Sequence, residues 1–106
     1  MTSAVVVLVT VPDARSARRI SDALVGERLA ACVTAVPGAR STYRWKRKVE
    51  RATETVLLIK TRAPLVKRLE RRVKELHPYD VPEFLTFRAD SGEGRYVGWI
   101  GESTRP

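Results

Sequence analysis

His77-Pro78-Tyr79-Asp80-Val81-Pro82-Glu83 is the stretch from which the fold can be worked out in both directions. Each proline fixes its own φ and disfavours the helical conformation in the residue before it. The sequence therefore predicts that a helix ends before Pro78 and that a strand begins after Pro82. The same seven residues contain the only histidine of the chain, a tyrosine and two carboxylates. Loops often carry function, so this junction is also the first candidate for a functional surface.

Apolar periodicity places a helix before this loop. Pro64 suits its first turn, and its apolar stripe consists of Leu65, Val66, Leu69, Val73 and Leu76. After the loop, residues 83–88 predict the last strand. Tyr96, Trp99 and Ile100 then recur at helical spacing, which predicts a short C-terminal helix.

The first third of the chain contains a strand, a helix and a second strand. Residues 4–9 are continuously apolar and rich in valine, as in a strand that is buried on both faces. Asp13 is a good N-cap for a helix whose apolar face consists of Ala17, Ile20, Ala23 and Leu24. Residues 29–36 predict the second strand. Cys32 lies within it and is expected to be a small buried hydrophobe.

A long hairpin follows. Pro37-Gly38 predicts a bulge or bend, after which residues 41–45 resume a period of two and place Tyr43 and Trp45 on one face. Lys46-Arg47 suits a tight turn, and the chain returns through residues 48–51 into a third strand at 56–59. A two-stranded ribbon is marginally stable alone in water. We therefore expect another copy of the chain to cover the two aromatic side chains.

The resulting order is β-α-β-β-α-β with a C-terminal helix. This is the split βαβ, ferredoxin-like pattern of the α+β class, with two helices on one face of an antiparallel sheet. A chain of 106 residues is long enough for one core, so residues 1–106 are predicted to form a single domain.

Composition narrows the classes of function. The chain is 43% hydrophobic and 30% charged, with a net charge of +8 and acidic residues interleaved among the basic ones. That interleaving disfavours nucleic acid as a partner, although a basic nucleic-acid-binding module remains an alternative. The longest apolar run is too short to cross a bilayer, and no leader pattern opens the chain. We expect a cytoplasmic protein with no membrane partner.

The residue inventory argues against catalysis. The sequence lacks a glycine-rich phosphate loop of either common type, and His77 is the only histidine available as a base. One cysteine and one histidine cannot form a closed structural zinc site within a single chain. The protein is predicted not to be an enzyme.

Several motifs together resemble the CutA family, the divalent-cation tolerance proteins. They are Ala30-Ala31-Cys32-Val33, Tyr43-x-Trp45, Ile59-Lys60-Thr61, the run from His77 to Glu83, and Tyr96-x-x-Trp99. The resemblance covers nearly the whole chain. It implies a ferredoxin-like subunit in a compact homotrimer whose long hairpins wrap neighbouring subunits. It also implies an inter-subunit cleft or binding surface, for which the candidate residues are Tyr43, Trp45, Tyr79, Asp80 and Glu83.

The resemblance implies limited metal chemistry. Family members proposed to bind copper carry a cysteine late in the first strand and a second histidine before the motif histidine, where this chain has Val9 and Leu76. His77 is thus the single candidate metal ligand. No cofactor is required, and we expect weak, unselective association with copper(II) or another divalent cation.

Two further features follow from the resemblance. Arg47 replaces a common turn glycine, which makes the hairpin tip basic. The trimer also resembles the PII signalling proteins, so the alternative function is a signalling trimer that binds a small anionic metabolite between subunits.

Overall fold

The computed structural model describes residues 2–106 as one sheet with three helices. The strands and helices, in chain order, are β1 Ala4–Val11, α1 Ala14–Gly26, β2 Cys32–Trp45, β3 Lys48–Arg62, α2 Val66–Leu76, β4 Leu85–Arg88 and α3 Gly94–Ser103. A short 3-10 turn, Ala63–Leu65, leads into α2. Among the described residues, no helix is long and apolar enough to cross a membrane.

The sheet has the strand order β2-β3-β1-β4, and each neighbouring pair is antiparallel. The two longest strands, β2 and β3, form the predicted hairpin. β1 is central because it pairs with both β3 and β4. The predicted ferredoxin-like α+β fold is confirmed.

The main core lies between one face of the sheet and helices α1 and α2. Alternate residues of β1 and β3 point into it because side chains in a strand alternate between faces. The strand side chains meet apolar stripes from both helices, and the fully buried members include Val7, Val9, Leu57, Ile59, Ile20, Leu24, Leu69 and Val73. The first strand was predicted to be buried on both faces; it is fully buried on the face toward α1 and α2, whereas Val6 and Leu8 on the other face are only partly buried.

Helix α3 packs on the other face of the sheet, at one end. Ile100 forms a small second cluster with Ala4 and Ala31. The Arg62 guanidinium donates a hydrogen bond of 2.9 Å to the Thr104 hydroxyl, which ties the C-terminal end of the chain to β3. Among the described residues, no helix covers the rest of this second face, which carries Val6, Leu8, Leu58, Leu85 and Phe87. We call this uncovered part the helix-free face.

Local chemistry explains how the elements begin and bend. Asp13 caps α1 as predicted, because its Oδ1 accepts a hydrogen bond of 2.8 Å from the backbone N–H of Ser16. The predicted bulge is also present, since the register between β2 and β3 shifts between Val36 and Ala39. Gly38 has a φ of 78°, a conformation that glycine adopts without steric cost.

Two of the predicted strands begin later than expected. The second strand begins at Cys32 and not at residue 29, because the N–H groups of Leu29 and Ala30 both bond to the carbonyl of Leu24 and complete the end of α1. Arg28 permits this turn with a φ of 62°. The last strand begins at Leu85 and not at Glu83, because pairing with β1 starts there.

Candidate functional site

His77 ends α2 and is held inside the fold. Its side chain is buried, and Nε2 lies 2.7 Å from the carbonyl oxygen of Thr10 at the end of β1. Its Nδ1 accepts a hydrogen bond of 3.0 Å from the backbone N–H of Tyr79. Only the neutral ring with its proton on Nε2 satisfies both contacts. The imidazole therefore fastens the loop after α2 to the central strand.

Tyr79 continues this network toward β3. Its ring centroid lies 4.9 Å from that of His77, and its hydroxyl donates a hydrogen bond of 3.1 Å to Oε2 of Glu54. Burial, followed by the hydrogen bond to Glu54 and the negative charge of that carboxylate, raises the pKa of Tyr79 from 10.0 to about 12. The charges of Tyr43 and Asp13 shift this pKa in the same direction.

Glu54 is a site residue that the sequence did not reveal. It lies on β3 opposite Ala39, directly after the bulge, and only 7% of its surface is exposed. A charged residue that is this buried needs a hydrogen-bond partner, and the Tyr79 hydroxyl supplies one. The one available signal was its position, two residues before the apolar run that starts at Val56.

The two loop carboxylates lie apart from this network. Asp80 and Glu83 are both exposed. Within residues 2–106, no three histidine, cysteine, aspartate or glutamate side chains come close enough together to hold a metal ion. A metal ion at His77 would have to replace one of the hydrogen bonds of a buried ring. The residues present thus do not form a ready-made metal centre.

The distal ribbon, residues 39–54, exposes its two aromatic side chains. Tyr43 pairs with Glu50 and Trp45 with Lys48, so both rings project from one face, as predicted. Half of the Trp45 surface, 51%, is exposed. The single chain therefore supplies nothing that covers this ring fully.

The helix-free face is apolar as well. Register places Leu8, Leu58 and Leu85 in one row across three strands, next to Val6 and Phe87. Phe87, on the edge strand β4, is 54% exposed. Large apolar surfaces of this kind usually mark an interface.

Cys32 lies on the helix-free face and differs from its prediction. It is only partly buried, and Nζ of Lys60, directly across the ladder, lies 3.7 Å from its Sγ. The same ammonium group donates a hydrogen bond to the Thr34 hydroxyl. The expectation of a buried core position was wrong because the register turns this side chain away from α1 and α2.

Comparison with known proteins gives a consistent result. The family model described as CutA1 divalent ion tolerance protein matches residues 5–103. The divalent-cation tolerance protein CutA of Thermus thermophilus is 48% identical over 99 residues, which cover 93% of this chain and 96% of that protein. The chloroplastic protein CutA of Arabidopsis thaliana is 42% identical over 101 residues, and these span 95% of this chain but 56% of the plant protein.

Solved structures agree with the sequence comparison. The crystal structure of CutA from Xylella fastidiosa superimposes with a TM-score of 0.96 at 44% identity, covering 98% of this chain and 100% of the other. The long β2–β3 hairpin and the C-terminal helix are included in that coverage.

Proposed function

Since the chain belongs to the CutA1 divalent ion tolerance family, we propose that it acts in divalent-cation tolerance as a homotrimer that contacts copper(II) only weakly. The observation that carries the assembly is the uncovered apolar surface of the single chain. The helix-free face and the aromatic face of the distal ribbon both expose large side chains, led by Phe87 and Trp45. The family description names tolerance and no reaction, which supports a non-enzymatic role.

Surface area supports this proposal quantitatively. The chain exposes 7119 Å². A folded monomer of its mass, 11.9 kDa, is expected to expose about 5,900 Å². The excess, about 1,200 Å², exceeds the roughly 800 Å² that one partner contributes to a standard interface. The long ribbon produces this excess, because it gives the chain principal extents of 44 × 26 × 23 Å.

The arrangement of the two edge strands of the sheet supports assembly of several copies into a ring. β2 and β4 are the two edge strands, and they differ in length and sequence. Contacts between unlike edges are heterologous and form a closed ring when the rotation between copies permits it. The resemblance to the family, stated above, favours three copies in that ring.

The hydrogen bonding of His77 supports weak metal contact. Both ring nitrogens already bond within the fold, so a copper ion competes with the Thr10 carbonyl or with the N–H of Tyr79. A single imidazole also leaves most coordination positions to water or to exposed carboxylates such as Asp80 and Glu83. Contact of this kind is weak and not selective.

The alternative, an anionic metabolite held near Tyr79, has less support. Glu54 accepts the Tyr79 hydrogen bond, and Asp13 adds negative charge near the same hydroxyl. Such surroundings repel an anion.

The cytoplasmic location stays a prediction, because a plant relative is named as chloroplastic.

Two measurements test the proposal. Sedimentation velocity at micromolar concentration is expected to give the mass of a trimer, and a monomer would overturn the assembly. Copper(II) titration, followed by the visible absorption of the ion, is expected to give weak binding that does not saturate at one ion per chain. Tight, stoichiometric binding that is lost in His77→Gln would show that the imidazole forms a true metal centre.

A further inference from the structure

The two faces of the distal ribbon differ in chemistry. The pairing of Arg40 with Thr53, Thr42 with Arg51, and Arg44 with Val49 places these six side chains on one face. The aromatic side chains Tyr43 and Trp45 project from the opposite face, together with both glutamates of the ribbon, Glu50 and Glu54. The first face, which we call the arginine face, therefore contains cations, hydroxyls and one valine.

The three arginines of this face form a zigzag row. Arg51 lies diagonally between Arg40 and Arg44, and diagonal neighbours on one face of a hairpin are roughly 7–8 Å apart. All three side chains are exposed. An open groove of about 360 Å³ lies along this part of the ribbon. Four of its lining residues, Arg40, Thr42, Arg51 and Thr53, belong to the arginine face, whereas Ser41 and Ala52 pair on the opposite face.

In the part of the chain that the structure describes, no carboxylate forms a salt bridge with the row. Among residues 2–106, the arginines that form salt bridges are Arg72 and Arg95, neither of which lies on the ribbon. Like charges at this spacing repel one another, and a bound anion would remove the repulsion. The guanidinium group is the side chain best suited to phosphate, because its planar fork can donate two parallel hydrogen bonds.

We propose that the arginine face is a binding site for a small anion that carries several linked phosphates. Arg40 and Arg44 are four residues apart on one strand, about 13 Å, which is more than a single phosphate can bridge. A linked di- or triphosphate presents charge at several points along such a row. The hydroxyls of Thr42 and Thr53 supply additional donors between the guanidinium groups.

The turn at the end of the ribbon adds to the positive field. Lys46 and Arg47 have φ values of 50° and 70°, in the left-handed region that glycine adopts more easily. The chain thus has two cations where glycine would cost less. Backbone strain that is retained at a specific place is a reason to look for function there.

The site does not compete with the proposed assembly. A second copy that covers Tyr43 and Trp45 buries the face opposite the arginines, so the arginine face is directed away from that contact. The inference goes beyond the proposed function, and the two can fail separately. Sedimentation tests the assembly, whereas anion titration tests this face.

The test is calorimetric titration of inorganic triphosphate into the unmodified protein at low salt. The parent is expected to bind it, with affinity that falls as salt is added. The double variant Arg40→Gln, Arg51→Gln should bind at least roughly tenfold more weakly, since two charge-assisted contacts are lost. The matched control is Arg18→Gln, Arg19→Gln, which removes the same charge from exposed positions of α1 and should bind like the parent.

Three results would overturn the inference. One is the absence of triphosphate binding by the parent, as expected if carboxylates of a neighbouring copy already neutralise the arginines. Another is an equal loss in both double variants, which would attribute binding to net charge alone. The third is a single-stranded oligonucleotide that binds more tightly than triphosphate and loses that binding in the ribbon variant, since the occupant would then be nucleic acid.

Discussion

Tyr79 and Glu54 form a hydrogen bond of 3.1 Å that joins the loop after α2 to β3, where that strand passes the bulge. The loop is thereby held at two points, because His77 bonds to the Thr10 carbonyl at the end of β1. The loop after α2, which the sequence predicts to be stiff, is thus also hydrogen-bonded to two strands. The imidazole of His77 and the hydroxyl of Tyr79 both make their hydrogen bonds within the chain.

Tyr79→Phe tests how much the hydrogen bond between Tyr79 and Glu54 contributes to stability. Phenylalanine keeps the ring and removes the hydroxyl, which leaves the buried carboxylate of Glu54 without its donor. We expect the free energy of unfolding to fall by about 1–3 kcal/mol. Chemical denaturation at fixed protein concentration measures this, with the exposed Tyr96→Phe as the control. An unchanged value would mean that water replaces the hydroxyl without loss.

The pair of Tyr79 and Glu54 also predicts that the stability of the protein falls at high pH. The pKa of Tyr79 is raised from 10.0 to about 12, so folding favours the protonated phenol. Its contribution to stability is complete below pH 10, the unfolded value, and is lost as the pH rises through about 12. The parent should therefore lose stability more steeply than Tyr79→Phe across this window. Parallel slopes for the two proteins would contradict the shift.

His77 should behave as a structural residue. His77→Ala removes the donor to the Thr10 carbonyl and the acceptor for the N–H of Tyr79, and is expected to cost about 1–3 kcal/mol of unfolding free energy. His77→Gln can restore one of the two bonds and should cost less. Nitrogen NMR of the ring gives a direct check, since it should show the proton on Nε2. A ring protonated on Nδ1 instead would contradict the bonding described here.

The sequence predicted the helices and strands of the fold well because individual residues mark where these elements begin, end or bend. Pro78 ends α2 at Leu76, Asp13 caps α1, and Pro37-Gly38 marks the bulge. Each of these residues acts through its own backbone or its nearest neighbours. Such local effects can be read from the order of residues alone.

The network around His77 could not be predicted in this way. The Thr10 carbonyl is a backbone atom and has no signature in the sequence, and Glu54 receives its hydrogen bond from Tyr79, 25 residues further along the chain. Cys32 was assigned to the wrong environment for a similar reason, because register alone decides which face a strand residue occupies. These contacts join residues that are far apart in the chain.

Trp45→Ala tests the role of the aromatic face in assembly. If a second copy buries this ring, its removal should weaken the assembly by roughly 3–5 kcal/mol per site. A dilution series in the analytical ultracentrifuge measures the change. Val25→Ala is the control, because Val25 is an exposed apolar residue on α1, away from both proposed contact faces, and its effect should stay within about 0.5 kcal/mol. Sedimentation of Trp45→Ala indistinguishable from the parent would exclude the ring from the interface.

Arg47→Gly should stabilise the hairpin. The φ of 70° at Arg47 places a side chain in the left-handed region, which costs about 1–2 kcal/mol for a residue other than glycine. Glycine avoids that cost but loses more backbone entropy on folding, so we expect a net gain of about 0.5–1 kcal/mol in unfolding free energy. Arg47→Gln is the matched control, because it removes the charge and keeps the left-handed conformation. An equal gain in both variants would show that charge repulsion at the tip, and not backbone strain, is what the substitution relieves.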